Sequence, residues 1–159
     1  MSTAKAWNSA RALAIIEPLA SLPGALLPIL HALQDEFAYI DSAAVPLIAK
    51  ALNLSKAEVH GVISFYHDFR QAPPGRHVLK ICRAEACQSM GCDALIGHVE
   101  GKLKTKLGET AADGSFTIEP VYCLGNCACS PAMQIGEEIY GRVSAKSFDE
   151  TINTVEELA

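Results

Sequence analysis

The chain has 159 residues, half of them hydrophobic, with 13 basic and 18 acidic side chains and a net charge of −5. That length fits one domain or a small domain with an appendage. The mild acidity, with no basic run, argues against nucleic acid as a partner, and no window of about 20 apolar residues is present to span a membrane.

The first 20 or so residues are alanine-rich and weakly patterned. They read as a frayed start or an arm that packs on a partner. Residues 24–70 read as three short amphipathic helices. Leu26, Leu30, Leu33 and Phe37 recur at helical spacing, with Pro28 tolerable in the first turn. Asp41 and Ser42 are candidate caps for a helix through Leu52, with Leu47, Ile48 and Ala51 on one face. Ser55-Lys56-Ala57-Glu58 is a capping-box pattern and opens the third helix, with Val59, Val62, Ile63 and Tyr66 inward. Phe65 and Tyr66 read as core.

Pro73-Pro74-Gly75 then breaks the pattern. It predicts a helical subdomain over 1–72 and a second domain over 73–159. His77 to Cys82 reads as a strand, Ala94 to Leu107 as a helix, and Phe116 to Tyr122 as a strand. Ala132 to Ile135 and Ile139 to Val143 read as a hairpin. Ser147-Phe148-Asp149-Glu150 is a second capping-box pattern, opening a last helix with Phe148, Ile152 and Val155 inward. The fold class is therefore α+β: a three-helix subdomain, then β-α-β-β-α on a small mixed sheet, which is the thioredoxin-like plan. The helix between the first two strands predicts a parallel pair with a right-handed crossover.

The six cysteines carry the chemistry. The start, Met1 to Trp7, shows no secretory pattern, so the expected location is cytoplasmic, where thiols stay reduced and metal ligation replaces disulfides. Four residues separate Cys82 from Cys87, three separate Cys123 from Cys127, and 35 lie between the pairs. Each pair follows a strand end, so parallel neighbouring strands bring four thiolates to one edge of the sheet. The spacing reads as a 2Fe–2S cluster. A structural zinc takes the same ligands, and a dithiol redox enzyme would use Cys-x-x-Cys, which is absent. Four residues also separate Cys87 from Cys92, and Cys129 follows Cys127 closely. Both read as packing or supporting residues, although spacing alone leaves either open as a ligand. Gly91, Gly125 and Pro131 permit close backbone approach or fixed turns, so that backbone N–H groups can donate to sulfur. Arg83 reads as an exposed arginine beside the first pair, and the histidines show no ligand spacing.

The stretches Gly24 to Phe37 and Val59-His60-Gly61-Val62-Ile63-Ser64-Phe65-Tyr66, together with the two cysteine pairs, Cys123-Leu124-Gly125-Asn126-Cys127 and Pro131, resemble a known family. It is the thioredoxin-like 2Fe–2S subunit of NADH:quinone oxidoreductase (complex I) and its relatives in NAD-reducing hydrogenases and soluble formate dehydrogenases. The resemblance covers roughly residues 20–150. Within the family, Cys82 to Gly91 looks most like the gamma subunit of NAD-dependent, molybdenum- or tungsten-containing formate dehydrogenase. The Thr-rich first loop usual in complex I is missing. The resemblance implies that Cys82, Cys87, Cys123 and Cys127 hold the cluster, with Cys92 and Cys129 standing where small non-ligand residues are expected. It also implies a non-catalytic electron carrier beside a flavoprotein that binds FMN and NAD, with a molybdopterin-containing catalytic subunit in the same complex. The chain has no G-x-G-x-x-G and no P-loop of its own.

Overall fold

A computed structural model describes residues 5–157. The chain divides into two compact units between Pro74 and Gly75.

The first unit is all helical. Its elements are α1 (Ser9–Leu19), α2 (Leu26–Phe37), α3 (Ala44–Leu52) and α4 (Lys56–Phe65). There are thus four helices and not three, because the alanine-rich start folds. Asn8 caps α1 by accepting from the Arg11 amide. Ala12 and Ile16, one helical turn apart, are fully buried with Ile29, Leu30, Leu33, Ile48 and Val59. Small side chains hide this face in the sequence, since alanine reads as neutral where close packing needs it small.

Two faces differ from expectation. On α3 the buried residues are Ala44, Ile48 and Ala49, and Ala51 is exposed. Asp41 does act at its start, accepting from the Ala43 amide at 2.8 Å. At the end of α4, Phe65 and Tyr66 are exposed at 72% and 44%. The helix ends at Phe65 and Tyr66 turns to extended backbone. The two rings pack edge to face on each other, and Phe69 takes the core position instead.

The capping box at Ser55 is present in full. Ser55 Oγ accepts from the Glu58 amide at 3.1 Å, and Glu58 Oε2 accepts from the Ser55 amide at 2.8 Å. Ser55→Ala is expected to cost about 1 kcal/mol. Urea denaturation checks it against Ser42→Ala, which is expected to be nearly neutral.

The second unit contains β1 (His77–Cys82), α5 (Glu85–Ser89), α6 (Cys92–Leu103), β2 (Phe116–Val121), β3 (Met133–Ile135), β4 (Glu138–Tyr140) and α7 (Ala145–Glu157). The sheet order is β2-β1-β3-β4. β1 and β2 are parallel, with Cys82 opposite Val121, and β3 is antiparallel to both β1 and β4. Leu79, Ile81, Ile118 and Met133 form the sheet's share of the core, and Val99, Phe148 and Ile152 close it from α6 and α7. The start of α7 differs from the expected pattern. Ser144, not Ser147, is the capping residue, and the two exchange hydrogen bonds at 2.9 and 3.2 Å. No described helix is long and apolar enough to cross a membrane.

His77 opens β1 with its ring 5.2 Å from that of Phe116 and its Nε2 buried without a hydrogen-bond partner. Burial, helped by Arg76, holds its pKa below the ordinary 6.5. The unfolded chain therefore takes up a proton that the folded chain refuses. The contribution is fully present above about pH 6.5 and is lost as pH falls toward the lower folded value. Between pH 8 and 5.5 the wild type should lose stability, and His77→Phe should lose less, as read from denaturation midpoints at both pH values.

Candidate metal centre

The parallel pair β1 and β2 ends at one edge of the sheet, and each strand delivers a cysteine pair there. Cys82 is the last residue of β1. Cys87 lies within α5, a single short helix where the sequence reads as a loop. Cys123 follows β2, and Cys127 opens a 3-10 turn over Cys127–Cys129. Main-chain bonds knit the two loops together: the Arg83 amide donates to Val121 O at 2.7 Å and the Cys82 amide to Ala132 O at 3.0 Å.

The sulfurs gather as two pairs. Cys123 Sγ and Cys127 Sγ are 3.5 Å apart, and the thiols of Cys82 and Cys87 act on each other, Cys87 raising Cys82 and Cys82 lowering Cys87. Backbone groups converge on them from both loops. The backbones of Ala84 and Leu124 favour the Cys82 thiolate against its burial, and that of Ala132 favours the Cys87 thiolate. The Gly125 amide donates to Cys123 Sγ at 3.3 Å. Leu124 and Ala132 belong to the second loop and serve sulfurs of the first. Oriented amides around sulfur are what a thiolate-rich centre needs to hold its negative charge.

Loop geometry serves the same end. Gly125 has φ 75°, a conformation glycine adopts without steric cost. Cys123 has φ 143°, which L side chains rarely take, at a cost of about 1–3 kcal/mol. Gly141 allows the 3-10 turn to sit close. A Cβ there would stand 2.7 Å from Asn126 Nδ2 and 2.9 Å from the Cys129 carbonyl.

Burial and electrostatics separate the pairs. Cys82 and Cys87 are each 2% exposed, whereas Cys123 and Cys127 are exposed. Burial pushes the Cys82 thiol up. Burial opposes the Cys87 thiolate too, but hydrogen bonds from Ser130, Cys82 and the Ala132 backbone outweigh it, so Cys87 loses its proton more readily than an ordinary cysteine. Cys123 raises the Cys127 thiol, and the charges of Cys82 and Cys87 add to that. The four sulfurs therefore feel one another.

Cys92 is the first residue of α6, fully buried in the sheet core, and burial raises its pKa. Cys129 is partly buried, its carbonyl accepting from the Arg142 amide at 2.6 Å. Arg83 pairs with Asp93 at 3.7 Å. Among the described residues, no three or more His, Cys, Asp or Glu side chains stand together as a ready site for a single metal ion. The donor set is two close thiol pairs, which suits a two-iron centre with one pair on each iron.

The family model of the thioredoxin-like [2Fe-2S] ferredoxin matches residues 12–156. The chain belongs to this family. It is an electron-transfer protein whose cofactor is a 2Fe–2S cluster, which sets aside the structural zinc. This ferredoxin is 33% identical over 129 residues to the NADP-reducing hydrogenase subunit HndA of Solidesulfovibrio fructosivorans, covering 81% of this chain and 75% of that one. It is 35% identical over 114 residues to a subunit of the NADH-quinone oxidoreductase of Pseudomonas aeruginosa, covering 72% and 69%. Among solved structures it is similar to an NAD+-reducing [NiFe]-hydrogenase, with a TM-score of 0.71 and 26% identity. That match covers 89% of this ferredoxin but only 24% of the hydrogenase chain.

Beyond the four predicted cysteines, the sequence reading expected backbone N–H groups to approach sulfur, as Gly125 does at Cys123, but did not say which others, and it missed Ser130. The amides have no side-chain signature. Ser130 had one, a polar residue between Cys129 and Pro131 in a ligand loop.

Proposed function

We propose that this ferredoxin is the non-catalytic electron-carrier subunit of a cytoplasmic NAD-linked oxidoreductase complex. Cys82 and Cys87 hold one iron of the cluster, and Cys123 and Cys127 hold the other. When bound, the cluster takes up and releases one electron at a time. The chain's own residues do the rest. Amides of Ala84, Leu124, Gly125 and Ala132 hold the sulfurs and offset their charge, and the apolar core beneath keeps water from Cys82 and Cys87. The single observation that carries the reading is that both cysteine pairs lie at the same end of the parallel strands β1 and β2, with Cys127 close enough to Cys82 and Cys87 to feel their charge.

The partner we infer is a flavoprotein binding FMN and NAD, docked against the cluster edge, where Tyr122 is 74% and Met90 61% exposed. The first loop, Cys82 to Gly91, supports a formate dehydrogenase with a molybdopterin-containing catalytic subunit. A second reading, an NAD(P)-reducing hydrogenase or complex I, is favoured by the likenesses to HndA and to the NADH-quinone oxidoreductase subunit. Affinity capture of the tagged full chain from its native cytosol decides between them. Formate-dependent NAD+ reduction in the captured fraction is the expected result. Hydrogen- or quinone-linked NAD(P) activity selects the second reading, and a chain recovered with neither flavin nor NADH-dependent dye reduction overturns both.

A further inference from the structure

Ser130 is one of three buried polar residues among the described residues. It stands where the two ligand loops meet. Its Oγ lies 3.5 Å from Cys87 Sγ in the first loop and donates to the Cys127 carbonyl in the second at 2.8 Å. A hydroxyl has one proton to give and lone pairs to receive. With Cys87 as a thiol, a chain forms: the Cys87 S–H donates to Ser130 Oγ, and the Ser130 O–H donates to Cys127 O. With Cys87 as a bound thiolate, the only proton left in this triplet is that of Ser130. Both acceptors then compete for it.

We propose that Ser130 is a positioning residue for the cluster, a hydroxyl rotor whose proton turns from the Cys127 carbonyl to Cys87 Sγ as negative charge grows on that sulfur. The proposal rests on Cys87 and Cys127 being ligands. No proton is gained or lost, since the Ser130 proton changes acceptor and stays on its oxygen. Hydrogen bonds to a charged acceptor strengthen with its charge. The one-electron reduced state places more negative charge on the ligand sulfurs than the oxidised state, so the rotor stabilises reduction. It also ties the buried pair to the exposed pair through one side chain. Alanine at 130 removes the donor and leaves the backbone cradle untouched.

The test uses the full chain, loaded anaerobically with iron and sulfide, as wild type, Ser130→Ala, Ser130→Thr and Cys87→Ser. Two readouts do not depend on enzyme activity: the midpoint potential from a dye-mediated dithionite titration followed by EPR, and the shift of the Fe–S stretching bands between H2O and D2O. Ser130→Ala is expected to hold as much iron as wild type, to have a lower midpoint potential and to lose part of the deuterium shift. Ser130→Thr restores both. Wild-type potential and deuterium shift in an iron-replete Ser130→Ala protein overturn the proposal. If Ser130→Ala retains no cluster, Ser130→Thr decides: wild-type values uphold the rotor and altered values overturn it. Unchanged iron and spectrum in Cys87→Ser overturn the ligand assignment itself, and the proposal with it, whatever Ser130 does.

Discussion

Serine at any one of Cys82, Cys87, Cys123 or Cys127 is expected to lower retained iron severalfold and to change or erase the visible spectrum. The wild type should hold about two irons and two inorganic sulfides per chain. Hard oxygen in place of soft thiolate weakens iron binding, and the geometry makes the loss cooperative. Cys123 and Cys127 are 3.5 Å apart, Cys82 and Cys87 act on each other's ionisation, and the Leu124 backbone of the second loop favours the Cys82 thiolate of the first. Cys129→Ser and Cys92→Ala are expected to keep the iron. Cys92 is fully buried, so removing its sulfur lowers stability through a cavity without touching the cluster. Iron and sulfide assay of the purified variants is the check. Retained iron in Cys87→Ser combined with loss in Cys92→Ala would move the ligand from α5 to α6.

Gly141→Ala should damage the centre from outside the cysteine motifs. An added Cβ meets Asn126 Nδ2 and Cys129 Cβ, each at 2.7 Å, and the Cys129 carbonyl at 2.9 Å. Asn126 can move, but the carbonyl is backbone and already accepts from the Arg142 amide. The 3-10 turn must therefore shift, and Cys127 shifts with it. Overpacking of this kind costs about 1–3 kcal/mol. Cluster loss on exposure to a chelator should quicken as well. Gly97→Ala is the control: outside its chain neighbours and its own helix backbone nothing lies within 4 Å of the added Cβ, and alanine within a helix is about 0.5–1 kcal/mol better than glycine. A Gly141→Ala protein as stable and as chelator-resistant as wild type would show that the turn tolerates displacement.

Much of the second unit could be read from the chain because its signals are local. The strand His77–Cys82 ends on the first cysteine of a pair, and the crossover helix forces β1 and β2 parallel. The four predicted cysteines then follow from strand ends. The helical unit was harder. Ala12 packs fully buried in α1, but an alanine face carries little hydrophobic contrast, so α1 read as an arm. Phe65 and Tyr66 misled in the opposite sense, since periodicity continued α4 past the point where Tyr66 turns out of the helix. The cap of α7 is Ser144 and not Ser147 because the helix begins at Ala145, before the capping-box pattern, and Ser147 returns a hydrogen bond to the Ser144 amide in place of a glutamate. At the metal centre, the hydrogen bonds from backbone and from Ser130 depend on which loops touch, and that is a property of the assembled sheet edge.

The unequal burial of the two pairs gives the centre a front and a back. Cys82 and Cys87 face the core, each 2% exposed, while Cys123 and Cys127 lie at the surface. Electron tunnelling weakens steeply with the thickness of protein it must cross. A redox partner resting on the second loop would face ligand sulfur across little more than a contact gap, whereas one approaching through α6 would be separated from it by the packed side chains of that helix. The second loop is therefore the side from which a redox partner would come nearest to sulfur.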